Sequence, residues 1–208
     1  VHKKMWIKLA ILLVFSLVGQ KAQISHSIIL YEGTQGWGDS LKIENYVNDL
    51  NSVGFNNKAS SLCVEDGIWI LYDAPSYNMY SDLPSGYFWG EDYCTDLAHD
   101  LRQKVSSLRY VGSPFGYKVD GVHLYGRPWF GGTEIFLTGE ARISFLVKSL
   151  VVTGKSVWTL YEKQDFSGYH VCVAPSNSSS GYPGFYTKEA DFGFAGRKIR
   201  SIQKDCFP

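Results

Sequence analysis

The sequence lacks most of the motifs that identify enzymes. It has no glycine-rich phosphate loop, no Gly-x-Ser-x-Gly nucleophile elbow and no metalloprotease helix. Its histidines are scattered along the chain. Cys94 and His99 lie close enough to suggest a nucleophile and a base, or part of a zinc site, but no further Cys/His pair with ligand spacing accompanies them. We therefore expect no enzymatic activity.

The chain also lacks an excess of charge of either sign. It has 20 Lys and Arg residues against 20 Asp and Glu residues. Four of the basic residues and none of the acidic ones lie in residues 1–23, so the rest of the chain has 16 basic and 20 acidic residues. No basic patch remains that would favour a nucleic acid or an anionic membrane as a partner.

A hydrophobic run long enough to cross a bilayer is missing too. The apolar run at about 9–18 is shorter than the ~20 residues that a membrane-spanning helix needs. Met5 and Lys8 precede it and small residues follow it, which is the layout of a secretory signal. We predict a signal peptide over residues 1–23, with an uncleaved anchor as the alternative, and hence a secreted, extracellular protein.

Two stretches of the chain share one clear pattern. Alternating residues lead into Tyr161, and a second aromatic residue follows five places later at Phe166, with a glycine two places after that. Tyr125 and Phe130 repeat the pattern in full. Glycine permits backbone angles that a side chain forbids, so the pattern predicts a folded β-hairpin whose strands close over the two rings.

Two earlier stretches follow the same frame with one change each. Tyr72 and Tyr77 fit it, but Met79 replaces the glycine. Tyr31 opens the first copy, in which Gly36 replaces the second aromatic residue. The chain therefore contains four copies of one hairpin.

Each hairpin is followed by a short apolar run that opens with a serine. These serines are Ser61, Ser107, Ser149 and Ser201. An internal repeat with strand periodicity predicts stacked β units, and a hairpin with a returning strand is the content of a Greek key.

This fourfold pattern resembles the βγ-crystallin superfamily, which includes lens crystallins and secreted or epidermal relatives. The resemblance implies an all-β fold with two βγ-crystallin-like Greek-key β-sandwich domains after the N-terminal signal peptide. We place the first domain at 24–111, a linker rich in Gly, Ser and Pro at 112–116, and the second domain at 117–208. The resemblance also implies a structural or extracellular-matrix role; the alternative is a non-enzymatic interaction module that binds carbohydrate or is the partner subunit of a defence or pore-forming complex.

The hexapeptide Asn56-Asn57-Lys58-Ala59-Ser60-Ser61 matches the calcium signature of this superfamily. Calcium prefers several oxygen ligands, which amides, hydroxyls and carbonyls supply. The resemblance implies sites shared between two repeats. One site would comprise the carbonyls of Glu32 and Lys104, the side chain of Asn57 and the hydroxyl of Ser106. The alternative is that the two asparagines simply form a turn.

A second, weaker site would use the equivalent positions with the two repeats exchanged. It would comprise the carbonyls of Asp73 and Lys58, the hydroxyl of Ser60 and the side chain of Gln103. Gln103 stands where the signature has Asn or Asp and is longer by a methylene. With few carboxylates, we expect dissociation constants of about 10⁻⁵ to 10⁻³ M.

The second domain carries no intact signature. The last serine of the signature recurs in all four repeats, which indicates a structural role for it. The preceding serine is replaced by Lys148 and Arg200. A cationic side chain at a ligand position opposes calcium binding, so we assign calcium to the first domain.

The chain has four cysteines, an even number suited to an oxidising compartment. Because two fall in each predicted domain, we favour Cys63 with Cys94 and Cys172 with Cys206. The sequence alone leaves the two other pairings open.

Two stretches suggest contacts with other molecules. Asn177 begins an Asn-Ser-Ser glycosylation sequon in a serine-rich loop. The glycine-bounded aromatic stretch 85–90 favours packing over the sandwich edge, but could also contact a glycan or another extracellular protein.

Overall fold

The computed structural model describes residues 26–83 and 85–207. The predicted signal peptide, 1–23, lies outside these residues. The chain is almost entirely β. The first half contains β1 (Ser27–Tyr31), β2 (Ser40–Ile43), β3 (Ser61–Tyr72), β4 (Ser85–Asp96) and β5 (Ser107–Val111).

The second half contains eight shorter strands. They are β6 (Gly121–Tyr125), β7 (Glu134–Leu137), β8 (Ala141–Arg142), β9 (Ser149–Thr153), β10 (Trp158–Tyr161), β11 (His170–Val173), β12 (Gly184–Tyr186) and β13 (Ser201–Lys204). Short helical turns lie at Thr34–Gly36, Leu50–Val53, Pro75–Asn78, Pro128–Phe130 and Glu189–Phe192. Both halves fold as antiparallel β-sandwiches, which confirms the predicted fold class; the exact domain limits stay a prediction.

The first sandwich is built on two long strands. β3 and β4 pair antiparallel from one end to the other, while β1 borders the first part of β3 and β5 borders its last part. Leu62 and Val64 face the same core as Trp69 and Leu71, so the side-chain alternation changes phase near Gly67. β3 therefore passes from one layer of the sandwich to the other.

The second sandwich has two separate four-stranded sheets, in the orders β11-β10-β13-β8 and β12-β9-β6-β7. β8 comes from the third repeat but pairs with β13 of the fourth, and β12 comes from the fourth repeat but pairs with β9 of the third. Each repeat thus completes the sheet of its neighbour, as Greek keys do. Trp158, Phe194 and Leu160 are among the buried side chains between the sheets.

The predicted ring contacts occur in three of the four hairpins. Ring centroids lie 5.8 Å apart for Tyr72 and Tyr77, 5.6 Å for Tyr125 and Phe130, and 6.1 Å for Tyr161 and Phe166, each pair edge to face. In the second repeat, where Met79 replaces the glycine, Met79 has a φ of −54° and the preceding residue, Asn78, has a left-handed φ of 54°. The hairpin thus accommodates the missing glycine by placing this left-handed residue one position earlier.

The serine that ends each signature braces the hairpin of its own repeat. Its hydroxyl donates to a hairpin carbonyl at 2.6–2.7 Å in all four repeats, from Ser61 to Gly33, Ser107 to Ala74, Ser149 to Arg127 and Ser201 to Lys163. This structural role agrees with the sequence analysis.

Each sandwich contains one disulfide. Cys63 bonds Cys94 across β3 and β4, and Cys172 on β11 bonds Cys206, which follows β13. The structure thus has the pairing that the sequence favoured.

The two sandwiches pack directly on each other. A buried cluster spans both of them, and its fully buried members include Ile68, Ile70 and Tyr72 from the first and Tyr125, Phe130 and Val151 from the second. Two buried histidines hold the segment between the sandwiches: His26 contacts the Ser113 carbonyl at 2.7 Å, and the Gly112 amide donates to His123 at 2.8 Å. The domains therefore have a fixed relative orientation.

Asp120, which precedes β6, connects the start of the second sandwich to the loop between β9 and β10 and to the end of β13. It accepts bonds from the Lys155 amide (2.6 Å), the Ser156 hydroxyl (2.6 Å) and Lys204 (3.0 Å). Burial raises the pKa of its carboxyl, but the bonds from Ser156, Lys155 and Lys204 lower it by more, so the pKa lies well below its ordinary value.

Acid should therefore weaken the second sandwich through Asp120. Because the folded-state pKa is depressed, the stabilisation is fully present above the unfolded value of about 3.9 and is lost as the pH falls through the folded pKa. We expect Asp120→Asn to be less stable than wild type near neutrality and to lose less stability on going from about pH 5 to pH 2. Urea unfolding across this pH range measures the loss of stability. Glu140→Gln, at an exposed site, is the control. If D120N and wild type lost the same stability between about pH 5 and pH 2, the role assigned to Asp120 would be refuted.

Candidate calcium site

Two signature loops lie next to each other in the first sandwich. The first loop (56–61) leads into β3 and the second loop (102–107) leads into β5. Asn57 and Gln103, at the same position of each loop, have the same left-handed φ of 57°. The two loops thus have the same left-handed backbone at this position.

The loops are joined by a reciprocal pair of backbone bonds. The Asn57 amide donates to the Val105 carbonyl at 3.0 Å, and the Gln103 amide donates to the Ala59 carbonyl at 2.7 Å. Ligands from both repeats are therefore held at fixed positions, although they are about 50 residues apart in the sequence.

Three of the predicted ligand oxygens converge at one point. The Ser106 hydroxyl lies 3.2 Å from Asn57 Oδ1 and 3.3 Å from the Lys104 carbonyl oxygen. Neighbouring oxygens that each lie about 2.4 Å from one calcium ion are roughly 3 Å apart. The spacing of these three atoms fits one edge of a calcium coordination shell.

The fourth predicted residue of this site, Glu32, lies beside the first loop. Its carboxylate pairs with the Lys58 ammonium at 2.9 Å, and both side chains are partly exposed. The ion pair ties the first hairpin to the residue that follows Asn57. The ion pair places the Glu32 side chain beside the first loop, and the role of the Glu32 carbonyl as a ligand stays a prediction.

Asn56, the first residue of the signature, has a buried side-chain oxygen that finds no hydrogen-bond partner among the described residues. A buried acceptor without a donor is costly. A bound cation or its water would offer such an oxygen a partner. The first loop therefore offers one further side-chain oxygen, that of Asn56, in addition to the three converging atoms.

The second predicted site is less well assembled. The Ser60 side chain is buried, but no hydrogen bond within 26–83 and 85–207 joins its hydroxyl to Gln103 or to the Lys58 carbonyl. Asp73 lies in the hairpin of the second repeat. The oxygens of this site are not linked to one another as those of the first site are.

Acidic side chains contribute little to either site. In the part of the chain that the structure describes, no three His, Cys, Asp or Glu side chains form a group that could hold a metal ion. A metal at the first site would depend on amide, hydroxyl and carbonyl oxygens. Such a set suits calcium and not zinc or iron.

The corresponding loops of the second sandwich keep the same backbone hydrogen bonds but have cationic residues in place of Ser60 and Ser106. The amides of Lys148 and Arg200 donate to hairpin carbonyls at 2.8 Å, just as Ser60 and Ser106 do in the first sandwich. Lys148 pairs with Glu189 at 2.8 Å. These positions carry cations where the first sandwich offers oxygens.

The sequence analysis missed a buried polar cluster between the sandwiches. Arg109, whose side chain is 3% exposed, donates to the Tyr72 hydroxyl at 2.9 Å and to the Phe130 carbonyl at 2.7 Å, and lies 3.4 Å from the Glu134 carboxylate. Burial raises the pKa of the Glu134 carboxyl, but the bond from His123 and the charge of Arg109 lower it by more, so Glu134 is ionised.

The same carboxylate binds both domains. Glu134 accepts from the Tyr46 hydroxyl of the first sandwich at 3.0 Å and from His123 Nδ1 at 2.6 Å. Because His123 Nε2 accepts a bond from the Gly112 amide, the proton of this histidine must lie on Nδ1. Arg109 in the apolar strand β5 and His123 in the apolar strand β6 were the sequence signals that could have suggested this cluster.

The aromatic stretch 85–90 belongs to β4 and packs on the second sandwich. Tyr87 stacks on Phe185 with 4.3 Å between ring centroids, and Trp89 lies 4.9 Å from Tyr182. Beside it, an open groove of about 440 Å³ is lined by Tyr87, Trp89, Phe88 and Tyr93. The stretch therefore joins the two domains, where the sequence analysis favoured packing over one sandwich edge, and it leaves part of its ring surface accessible.

The sequon residue Asn177 is exposed in a loop, where its side-chain oxygen accepts a bond from the Ser180 amide at 3.2 Å. Its glycosylation stays a prediction. Among the described residues, no helix is long and apolar enough to span a membrane.

Comparisons with known proteins agree with this fold. The family model described as Beta/Gamma crystallin matches residues 27–111. A beta/gamma-crystallin of Ciona intestinalis is 39% identical over 69 residues, which are 30% of this chain and 82% of that protein. Gamma-crystallin N of Mus musculus is 24% identical over 194 residues, which are 88% of this chain and 97% of that protein.

A solved structure gives the same fold for most of the chain. Geodin, a beta-gamma crystallin from Geodia cydonium, superposes with a TM-score of 0.67 at 24% identity and covers 87% of this chain and 99% of its own.

Proposed function

Because the chain belongs to the βγ-crystallin superfamily, we propose that it is a secreted, non-enzymatic structural protein of the extracellular matrix whose first domain binds calcium. The observation that supports calcium most directly is the convergence of Asn57 Oδ1, Ser106 Oγ and the Lys104 carbonyl oxygen. These atoms come from two repeats and include no cationic group.

Calcium at this site would act as a cross-link. Asn57 belongs to the first repeat, and Lys104 and Ser106 belong to the second. An ion bound to all three stabilises the folded first sandwich by mass action, because the unfolded chain does not bring these oxygens together. At a free concentration 100 times the dissociation constant, the gain is about 2.7 kcal/mol.

Asn57→Ala tests the ligand assignment. We expect this change to weaken calcium binding by roughly 10- to 100-fold, because it removes one oxygen from a site with few ligands. Isothermal titration calorimetry measures the affinity. Gln35→Ala is a matched control, since Gln35 lies in the same sandwich with a similar left-handed φ of 55° but is not a predicted ligand. Wild-type affinity in N57A, or an equal loss in Q35A, would remove Asn57 from the ligand set.

A second candidate function is binding of a glycan. It is favoured by the groove of about 440 Å³ beside β4, where Tyr93 is 45% exposed and Tyr87 is 38% exposed. Accessible rings stack on the apolar faces of sugars. A glycan array with wild type and Tyr93→Ala tests this function. Binding that is lost in Y93A supports it, and no binding by wild type excludes it for the sugars on the array.

A further inference from the structure

The Cys63–Cys94 disulfide lies at an open edge of the first sandwich. β4 pairs with β3 on one side, and no strand among the described residues pairs with its other side. Cys94 is exposed. A cavity of about 290 Å³ adjoins the bond, and its lining includes both cysteines together with Gln35, Ser61 and Asp96. A small molecule can therefore reach the sulfur atoms of the folded protein.

This bond is not needed to hold its two strands together. Cys63 and Cys94 are directly opposite each other, and the ladder continues on both sides of them through Leu62 with Thr95 and Val64 with Tyr93. The remaining backbone pairs of β3 and β4 still form when the sulfur–sulfur bond opens. Exchange at this disulfide can thus occur without unfolding.

The topology decides which sulfur is attacked. A thiolate attacks a disulfide along the sulfur–sulfur axis, from the side opposite the leaving sulfur. Ile29 is paired with Cys63 on the neighbouring strand β1, so an approach to Cys63 crosses the face of the sheet beside it. An approach to Cys94 comes from beyond the free edge of β4. Cys94 is therefore the sulfur that is attacked, and Cys63 is the leaving group.

The charge around the edge selects the attacking thiol. Asp96 lies two residues after Cys94, which is the spacing of side chains on one face of a strand, and the exposed Asp92 lies two residues before Cys94, where the backbone has a left-handed φ of 52°. Neither makes an ion pair with any described residue, whereas the nearby Glu91 pairs with Lys118. The uncompensated carboxylates repel an anionic thiol and attract a cationic one.

We propose that Cys63–Cys94 is a thiol-exchange site selective for cationic thiols, such as aminothiols or thiols on basic peptides. The incoming thiolate forms a bond to Cys94 Sγ, and the bond between Cys94 and Cys63 breaks. Cys63 leaves as a thiolate and takes a proton from water. One disulfide is consumed and one is formed, so no external oxidant or reductant is required.

The test compares three small thiols of similar size on the folded wild-type protein: cysteamine (cationic), 2-mercaptoethanol (neutral) and 2-mercaptoethanesulfonate (anionic). Peptide mass spectrometry locates the adduct, and rates are compared per thiolate present. At low salt we expect the order cationic, neutral, anionic, with the adduct on Cys94 and a free thiol on Cys63. High salt should reduce the differences. Intrinsic tryptophan fluorescence, which includes that of the buried Trp69, monitors whether the protein stays folded.

The Cys172–Cys206 disulfide serves as an internal reference in the same sample. A first adduct on Cys63, Cys172 or Cys206, equal rates for the three thiols at low salt, or an adduct that appears only as the sandwich unfolds would each overturn the proposal.

Asp96→Asn tests the role of the carboxylates. The asparagine keeps an oxygen acceptor for the Gln35 amide, which donates to Asp96 at 2.6 Å, so the hairpin contact is retained. We expect the ratio of cationic to anionic rates to fall about threefold, as removal of one nearby surface charge allows. Asp165→Asn, at an exposed site of the second sandwich, should leave the ratio unchanged. An unchanged ratio in D96N would refute the charge selection.

Discussion

Glu134→Ala is expected to lower the free energy of unfolding by about 3–5 kcal/mol, because it leaves Arg109 buried between the sandwiches without its carboxylate. The guanidinium is 3% exposed and lies 3.4 Å from Glu134. The change also removes the acceptor of the Tyr46 and His123 bonds. Because the protein has 6 tryptophans, urea unfolding is followed by fluorescence in variants that keep only Trp69 or only Trp158, each fully buried in one sandwich, so that each sandwich is reported separately.

Two further variants separate a lost charge pair from general disruption. Glu140→Ala, at an exposed position in the same domain, should change stability by less than about 0.5 kcal/mol. Arg109→Met combined with Glu134→Ala should recover part of the loss, because the uncompensated charge is removed with it. A cost below about 1 kcal/mol for E134A would show that the cluster does not hold the domains together.

Gly154→Ala is expected to destabilise the second sandwich by about 3 kcal/mol or more. Gly154 has a φ of +75°, and an added Cβ would lie 2.5 Å from Asp120 Cα and 2.6 Å from the Asp120 amide nitrogen. These are backbone atoms, so they cannot move aside as a flexible side chain does. The displaced segment includes the Asp120 carboxylate that binds Lys155 and Ser156.

Gly196→Ala is the matched control for this change. Gly196 has almost the same φ, +76°, but no atom lies within 4 Å of its added Cβ. Its replacement thus imposes the backbone strain alone, about 1 kcal/mol. Thermal unfolding followed by Trp158 fluorescence compares the two variants. Equal losses in G154A and G196A would show that the contact with Asp120 contributes nothing.

The repeats were predictable because each hairpin is encoded locally. A tyrosine, an aromatic residue five places later and a glycine specify a turn within eight residues, as at Tyr161, Phe166 and Gly168. The serine that braces the hairpin opens the returning strand of each repeat, and Ser61 and Ser201 bind their hairpins in the same way. Patterns of this kind need no knowledge of distant contacts.

The contacts between repeats could not be predicted in the same way. Arg109 and Glu134 belong to different domains, and nothing in the residues around either one names the other as its partner. The continuous length of β3 was missed because the end of one repeat and the start of the next are joined there without a turn. The first candidate calcium site could be located from its signature, but the sequence did not show that Ser106 lies between Asn57 and Lys104 while Ser60 stays apart from Gln103.

The measurement that tests the proposed function most directly is calcium titration of the protein by calorimetry, with melting curves in calcium and in chelator. We expect a dissociation constant of about 10⁻⁵ to 10⁻³ M. Calcium should raise the melting temperature of the transition reported by Trp69 and leave the melting temperature reported by Trp158 unchanged. No binding heat at millimolar calcium and identical melting curves would contradict the proposal, and would leave residues 56–61 as a turn.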